Sequence, residues 1–215
     1  MAVATAAVLA GTASAAGPKV AHTATGNARA GKSIVSGKIY KGWTATKSTS
    51  KGVNLSCPGY VPSGSGVVEI GSAGSPNYAS TSEGPFVLQQ TSVYATAGQA
   101  STLWSRAVKA GLIACVAQSL DTIKSKGITV KLASEGALKV TSVGDKTAGY
   151  RVAATLSSAK QKALKTYFDV VLVQVGNAIT EFTFSSLVSP VPAKVEYAFA
   201  LLAARNLGAS GAPVA

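Results

Sequence analysis

The sequence predicts an α+β fold: a twisted antiparallel sheet of about five to six strands, with one long central helix and one C-terminal helix packed on it. Three observations carry this expectation. Runs dense in Val, Ile, Phe and Tyr recur with Gly, Pro, Ser and Asn clustered between them, as strands and turns require. From Ala97 the apolar residues change to three- and four-residue spacing, and they do so again near the C-terminus. Successive strand runs are joined by short turns, which makes neighbours antiparallel.

The first strand runs are "VVEIGSA" and "PFVLQQTSVYAT", entered from the turn-rich connector "CPGYVPSGSG". Ala100, Leu103, Trp104, Ala107, Val108 and Leu112, then Val116, Leu120 and Ile123, form one apolar stripe on a single long helix ending near Lys126 and Gly127. Trp104 lies in the stripe and is expected in the core, with a pocket mouth as the lesser reading. Gly111 marks either a break or a close approach of a neighbouring backbone. Strands are expected at 128–133, 147–156, 167–175 and 178–187, the last two joined by a tight hairpin at Gly176 and Asn177, both residues that tolerate positive φ. In "YFDVVLVQVGN" both alternating faces are largely apolar, which places this run in the sheet interior. The closing helix, in "SPVPAKVEYAFALLAARNLG", has Pro192 near its start, a stripe of Val195, Phe199 and Leu202, and Gly208 after its end.

The chain is 215 residues long, room for one domain with a real core. The expected organisation is a signal peptide over 1–16, a basic Gly/Ser/Thr-rich flexible arm over 17–52, a single domain over 53–208 and a flexible tail over 209–215. In the leader an apolar run from Ala2 to Ala10 ends in Ala13-Ser14-Ala15, an A-x-A cleavage pattern without the usual basic start. The competing reading is a frayed, Ala-rich N-terminus of a cytosolic protein. No other segment has the roughly 18 uninterrupted apolar residues of a membrane span. Charged residues are only 13% of the chain, yet the net charge is +12. Seven of the 20 Lys and Arg lie at or before Lys51, and all eight acids fall at Glu69 or later. Such an arm is either a solvated linker or a contact for anionic polymer or lipid. Trp43 and Tyr40, flanked by lysines, fit a surface contact or a first strand tucked onto the sheet.

An export signal makes Cys57 and Cys115 most simply a disulfide, worth roughly 4 kcal/mol on the chain-entropy model. Two unpaired buried thiols are the alternative. Lipidation of Cys57 is excluded by the polar upstream residues "STSKGVNLS", and a metal site needs more ligands than two distant cysteines and His22. That histidine, the only one, falls in the arm, so Ser-His-Asp and Cys-His mechanisms drop out. Most of the eight acids fall in turns or on exposed helix faces, and none cluster at the spacing of a metal or glycosidase site. No catalytic residue, metal or cofactor is predicted. Asp169 stands in the most apolar strand and needs a partner, and hairpin counting supplies Arg151. The structural reading is a cross-strand ion pair at the sheet rim. The functional reading makes Tyr150, Arg151 and Asp169 polar points lining one ligand cleft. Aromatics do not alternate with basic residues across the domain, which argues against specific nucleic-acid binding.

"SCPGY", "SVYATAGQASTLW", "ACVAQ", "TAGYRV", "YFDVVLVQVGNAI" and "VPAKVEYAFALLAARNL" together resemble small exported α+β proteins of actinobacteria. More distantly they resemble the extracellular sensor domain of mycobacterial receptor serine/threonine kinases of the PknH type and related cell-wall lipoproteins. The resemblance implies a disulfide-stapled sheet with packed helices forming a cleft, and a sensing role. This chain departs from it in having no kinase domain, no transmembrane helix, no lipobox and one disulfide at most. The expected function is therefore a secreted or envelope-associated, non-enzymatic protein binding a small or apolar ligand. An interaction protein docking its basic arm on anionic envelope polymer or lipid is the alternative, and an enzyme of unrecognised type the third.

Overall fold

The computed structural model describes residues 17–48, 53, 55–57, 59–121, 128–158 and 161–209. The expected leader with its cleavage site, and all but the first residue of the expected tail, lie outside the described residues.

The long strands form where they were expected. β3 (Val68–Gly74) and β5 (Phe86–Tyr94) precede the helical region. β6 (Ile128–Ala137), β7 (Lys146–Ser158), β8 (Gln161–Val175) and β9 (Ala178–Leu187) follow it. Val175 faces Ala178 across the two-residue turn at Gly176 and Asn177. Only Gly176 takes positive φ there, at 56°, as a turn with glycine in its first central position requires. β8 lies between β7 and β9, and Val171, Leu172 and Val173 are fully buried, so its apolar residues on both faces are explained by cover on both sides.

The sheet is larger than predicted and mixed. Three short strands join it: β1 (Lys19–Val20), β2 (Thr44–Thr46) and β4 (Asn77–Ala79). The order is β1-β3-β5-β9-β8-β7-β6, with β4 paired to β5 and β2 to β4, nine strands among the described residues, and β1 runs parallel to β3.

The single long helix is two helices, α2 (Ala97–Ala107) and α3 (Ala110–Asp121). The break falls at Val108 and Lys109, ahead of Gly111. α2 packs on β5 and β9 while α3 packs on β6 and β7, and a twisted sheet presents those strand pairs at different angles, so one straight rod cannot follow both. Gly111 answers to a close approach, but of a ring rather than a backbone: a Cβ there would come within 2.8 Å of Tyr60 Cε2. The Tyr60 hydroxyl donates to Ala107 O (3.0 Å), one of the carbonyls at the broken end of α2.

The second correction is the arm. Within 17–48, expected as a flexible tether, α1 (Ala24–Ser33) and a 3-10 turn (Gly37–Ile39) form and pack on the domain. Thr23 caps α1, its hydroxyl accepting from Gly26 N at 2.9 Å. Ala30 and Val35 enter the core, and Tyr40 and Trp43 stack on each other and lie against Phe199 of the C-terminal helix α4 (Ala193–Asn206). The sheet thus has helices on both faces: α1 and α4 on one, around Phe182, Phe184 and Phe199, and α2 and α3 on the other, around Tyr94, Leu103, Trp104 and Leu172. Trp104 is buried, as its place in the stripe predicted.

Candidate functional site

Strand alternation decides which predicted site residues share a face. Arg151 is the register partner of Asp169, and both side chains point to the α4 side. Tyr150, one residue earlier, points to the opposite side and packs with α3. The three residues therefore do not line one cleft, and that part of the functional reading is corrected. The cavity that Tyr150 does line, with Leu55, Leu112, Val116, Val170 and Glu181, has a volume of about 20 Å³, the space of a single water. Burial pushes the Tyr150 phenol upward, with Tyr60 adding to the shift.

On the α4 side the ion pair is bidentate. Arg151 Nε donates to Asp169 Oδ1 at 2.6 Å and Nη2 to Oδ2 at 2.7 Å. It is not at a rim: Asp169 is fully buried under α4. A third member, Glu196 of α4, is one of the eight acids of which most were expected in turns or on exposed helix faces, and it is 1% exposed. Arg151 Nη2 reaches Glu196 Oε1 and Val191 O, each at 3.3 Å. Burial first, and then the hydrogen bond to Asp169, raise the Glu196 carboxyl to about 8. Two buried carboxyl groups facing one guanidinium leave one negative charge too many, and the proton held by Glu196 removes it. The Arg151 guanidinium is shifted upward, chiefly by its hydrogen bond to Asp169. The bonds of this cluster run among its members and to Val191 O, and they join α4 to the sheet. Its signal in the sequence is spacing: Glu196 precedes Phe199, Ala200 and Ala203 by three, four and seven residues, on the apolar face.

A second buried polar group was not foreseen. Gln89 Oε1 accepts from Val35 N at 2.8 Å, and its Nε2 donates to Ser33 O at 3.0 Å. Ser33 Oγ donates to Thr91 Oγ1 (2.7 Å), which is bonded in turn to Thr180 Oγ1 (2.8 Å). These bonds answer the carbonyl and amide left open where α1 ends. At the other end of the segment His22 Nε2 lies 2.9 Å from Glu69 Oε1, so the single histidine sits on the folded body, not on a tether.

Cys57 and Cys115 form a disulfide, with Cα atoms 5.9 Å apart. It ties Cys57 to α3, near Tyr60, whose hydroxyl reaches the end of α2. Among the described residues no group of three or more His, Cys, Asp or Glu side chains is placed to hold a metal ion. Among them also, no helix is long and apolar enough to cross a membrane.

No protein-family model matches the chain, and no curated protein matches it.

Proposed function

We propose that this chain is an exported, non-enzymatic binding protein of the cell envelope that holds anionic polymer on its cationic surface. One observation carries the reading: the charges are sorted by sign between surface and interior. Asp169, Glu181 and Glu196 are buried, and Glu69 is spent on His22. Among the described residues ten Lys and Arg side chains are exposed against three acids, Glu83, Glu135 and Asp145. The charged groups that a partner meets at the surface are therefore mostly cationic, and the net charge of +12 attracts polyanions at long range. Export is supported by the leader pattern and by the disulfide, which persists in an oxidising compartment.

The small-ligand reading has less behind it, since Tyr150 faces away from Arg151 and Asp169 and the cavity beside Tyr150 has about 20 Å³, where pockets for drug-sized ligands have roughly 300 Å³ or more. The cationic contact is not assigned to a free arm either, because residues 17–48 are packed on the domain.

The test is retention of the purified, disulfide-intact chain on insoluble anionic envelope polymer across a salt series. Retention at low salt, with release toward 1 M where the Debye length falls to about 3 Å, is expected. Failure to bind at low salt, or retention indifferent to salt, would sink the proposal.

A further inference from the structure

The proposed function leaves open where on the surface the polymer sits, and one part of the α4-side face carries no helix among the described residues. α3 covers one side of β6 and β7, where Ile113 and Ala117 meet Val130, Val152 and Ala154. On the other side α4 packs over β8 and β9. The outer part of β6, β7 and β8 on that side lies beyond it.

Register sets what this face presents. Lys131 pairs with Thr155, and Thr155 with Lys165, so the three residues form one row across three strands with their side chains on the same side. Both lysines are exposed. Two strand spacings of about 4.8 Å place their backbones about 10 Å apart. The neighbouring row holds Thr129 and Ser157, and the next pairs Ala153 with the half-buried Tyr167. Among the described residues no acid stands in these rows; exposed Glu83 borders them at the end of β9, its carbonyl accepting from Leu187 N. Glu135 pairs with Val152 and falls on the α3 side, while Asp169 and Glu196 are buried and held by Arg151.

Two cations in one row, set among hydroxyl groups with no acid in the rows themselves, form a flat contact for a chain that carries repeated negative charge and hydrogen-bonding groups. A lipid bilayer fits less well. Interfacial anchoring takes a band of inserted apolar side chains, and among the described residues Val188, whose N–H bonds to Lys165 O, is the single exposed large apolar residue bordering this face.

We propose that a linear, hydroxyl-rich polyanion lies across the open face of β6, β7 and β8, with Lys131 and Lys165 as its charge contacts. This rests on the reading of the chain as a polyanion binder.

The experiment uses the full disulfide-intact chain and poly(glycerol phosphate) as probe, followed by calorimetry over a salt series. The charge-reversal pair K131E/K165E is compared with K19E/K47E, which makes the same change in net charge around the opposite edge strands. K131E/K165E is expected to lose tenfold or more in affinity and to flatten the log–log salt slope by about 1.5 to 2, while K19E/K47E loses less than threefold. Thermal melts of both variants matching the parent exclude unfolding, and K131Q/K165Q repeats the test without added acids. Equal losses in the two reversal pairs overturn this site but leave polyanion binding standing. No binding by the parent at low salt overturns the underlying reading as well. Tighter binding to phosphatidylglycerol vesicles than to the polymer, lost in K131E/K165E, overturns the polymer as occupant of this face.

Discussion

The Arg151–Asp169–Glu196 cluster makes the docking of α4 a protonation equilibrium, and Glu196→Gln isolates it. In the folded protein the Glu196 carboxyl titrates at about 8 against an ordinary 4.5. An acid whose folded pKa is raised binds its proton more tightly in the native state. Its stabilisation is complete below the unfolded pKa and is lost as pH rises through the folded one. Between those limits the native state holds a proton that the unfolded chain has released, so stability falls by about 1.4 kcal/mol per pH unit. Over the whole window the loss has an upper limit of about 5 kcal/mol, a large share of a small domain's stability. A glutamine can donate to Asp169 and accept from Arg151, so it keeps the geometry and removes the titration. Urea midpoints measured from pH 5 to pH 9 should therefore fall in the parent and stay level in E196Q, with the two converging at the acid end. Trp43 supplies a local signal, since its ring centroid is 5.7 Å from that of Phe199 on α4. Trp104→Phe removes the other tryptophan from the reading. Parallel loss of stability in parent and variant, or a parent that gains stability toward pH 8, would refute the proton-sharing argument.

Other perturbations separate the remaining supports. Arg151→Ala leaves buried Asp169 without its cation and should cost about 3 to 5 kcal/mol, read from the shift in urea midpoint at pH 7. Gln89→Leu strands Val35 N and Ser33 O where α1 ends, and a loss of about 2 to 4 kcal/mol is expected; a loss under half a unit would show that water replaces the amide. The disulfide closes a separation of 58 residues, so reduction should cost about 4 kcal/mol on the chain-entropy model, seen as a lower melting temperature with reductant and no change with reductant in a Cys57→Ser/Cys115→Ser variant. Deleting 17–48 removes Ala30 and Val35 from the core and should unfold the domain, shown by collapse of amide exchange protection in β5 and β9.

Much of the fold was legible because its signals are local. The strand runs, the Gly176 hairpin and the limits of α4 follow from side-chain period and turn chemistry, which act over a few residues. The pairing of Arg151 with Asp169 could be counted because one hairpin connects them. α1 was not legible in the same way. Its buried positions are Gly26, Ala30 and Ser33, which have helical spacing but too little apolar surface to stand out, and its stability comes from contacts with β3, β5 and α4 far along the chain.

The sequence by itself determined the α+β class, the principal strands, the placement of Trp104 in the core and the pairing of the two cysteines once export is assumed. It also determined the excess of positive charge. Only the tertiary structure decided which of those charges meet. A strand's alternation is visible in one dimension, but which face a helix covers depends on how the sheet twists, and that twist broke the long helix at Val108. The same placement turned Glu196 inward onto Asp169, sent Tyr150 to the opposite face from Arg151, and left Lys131 and Lys165 in one uncovered row.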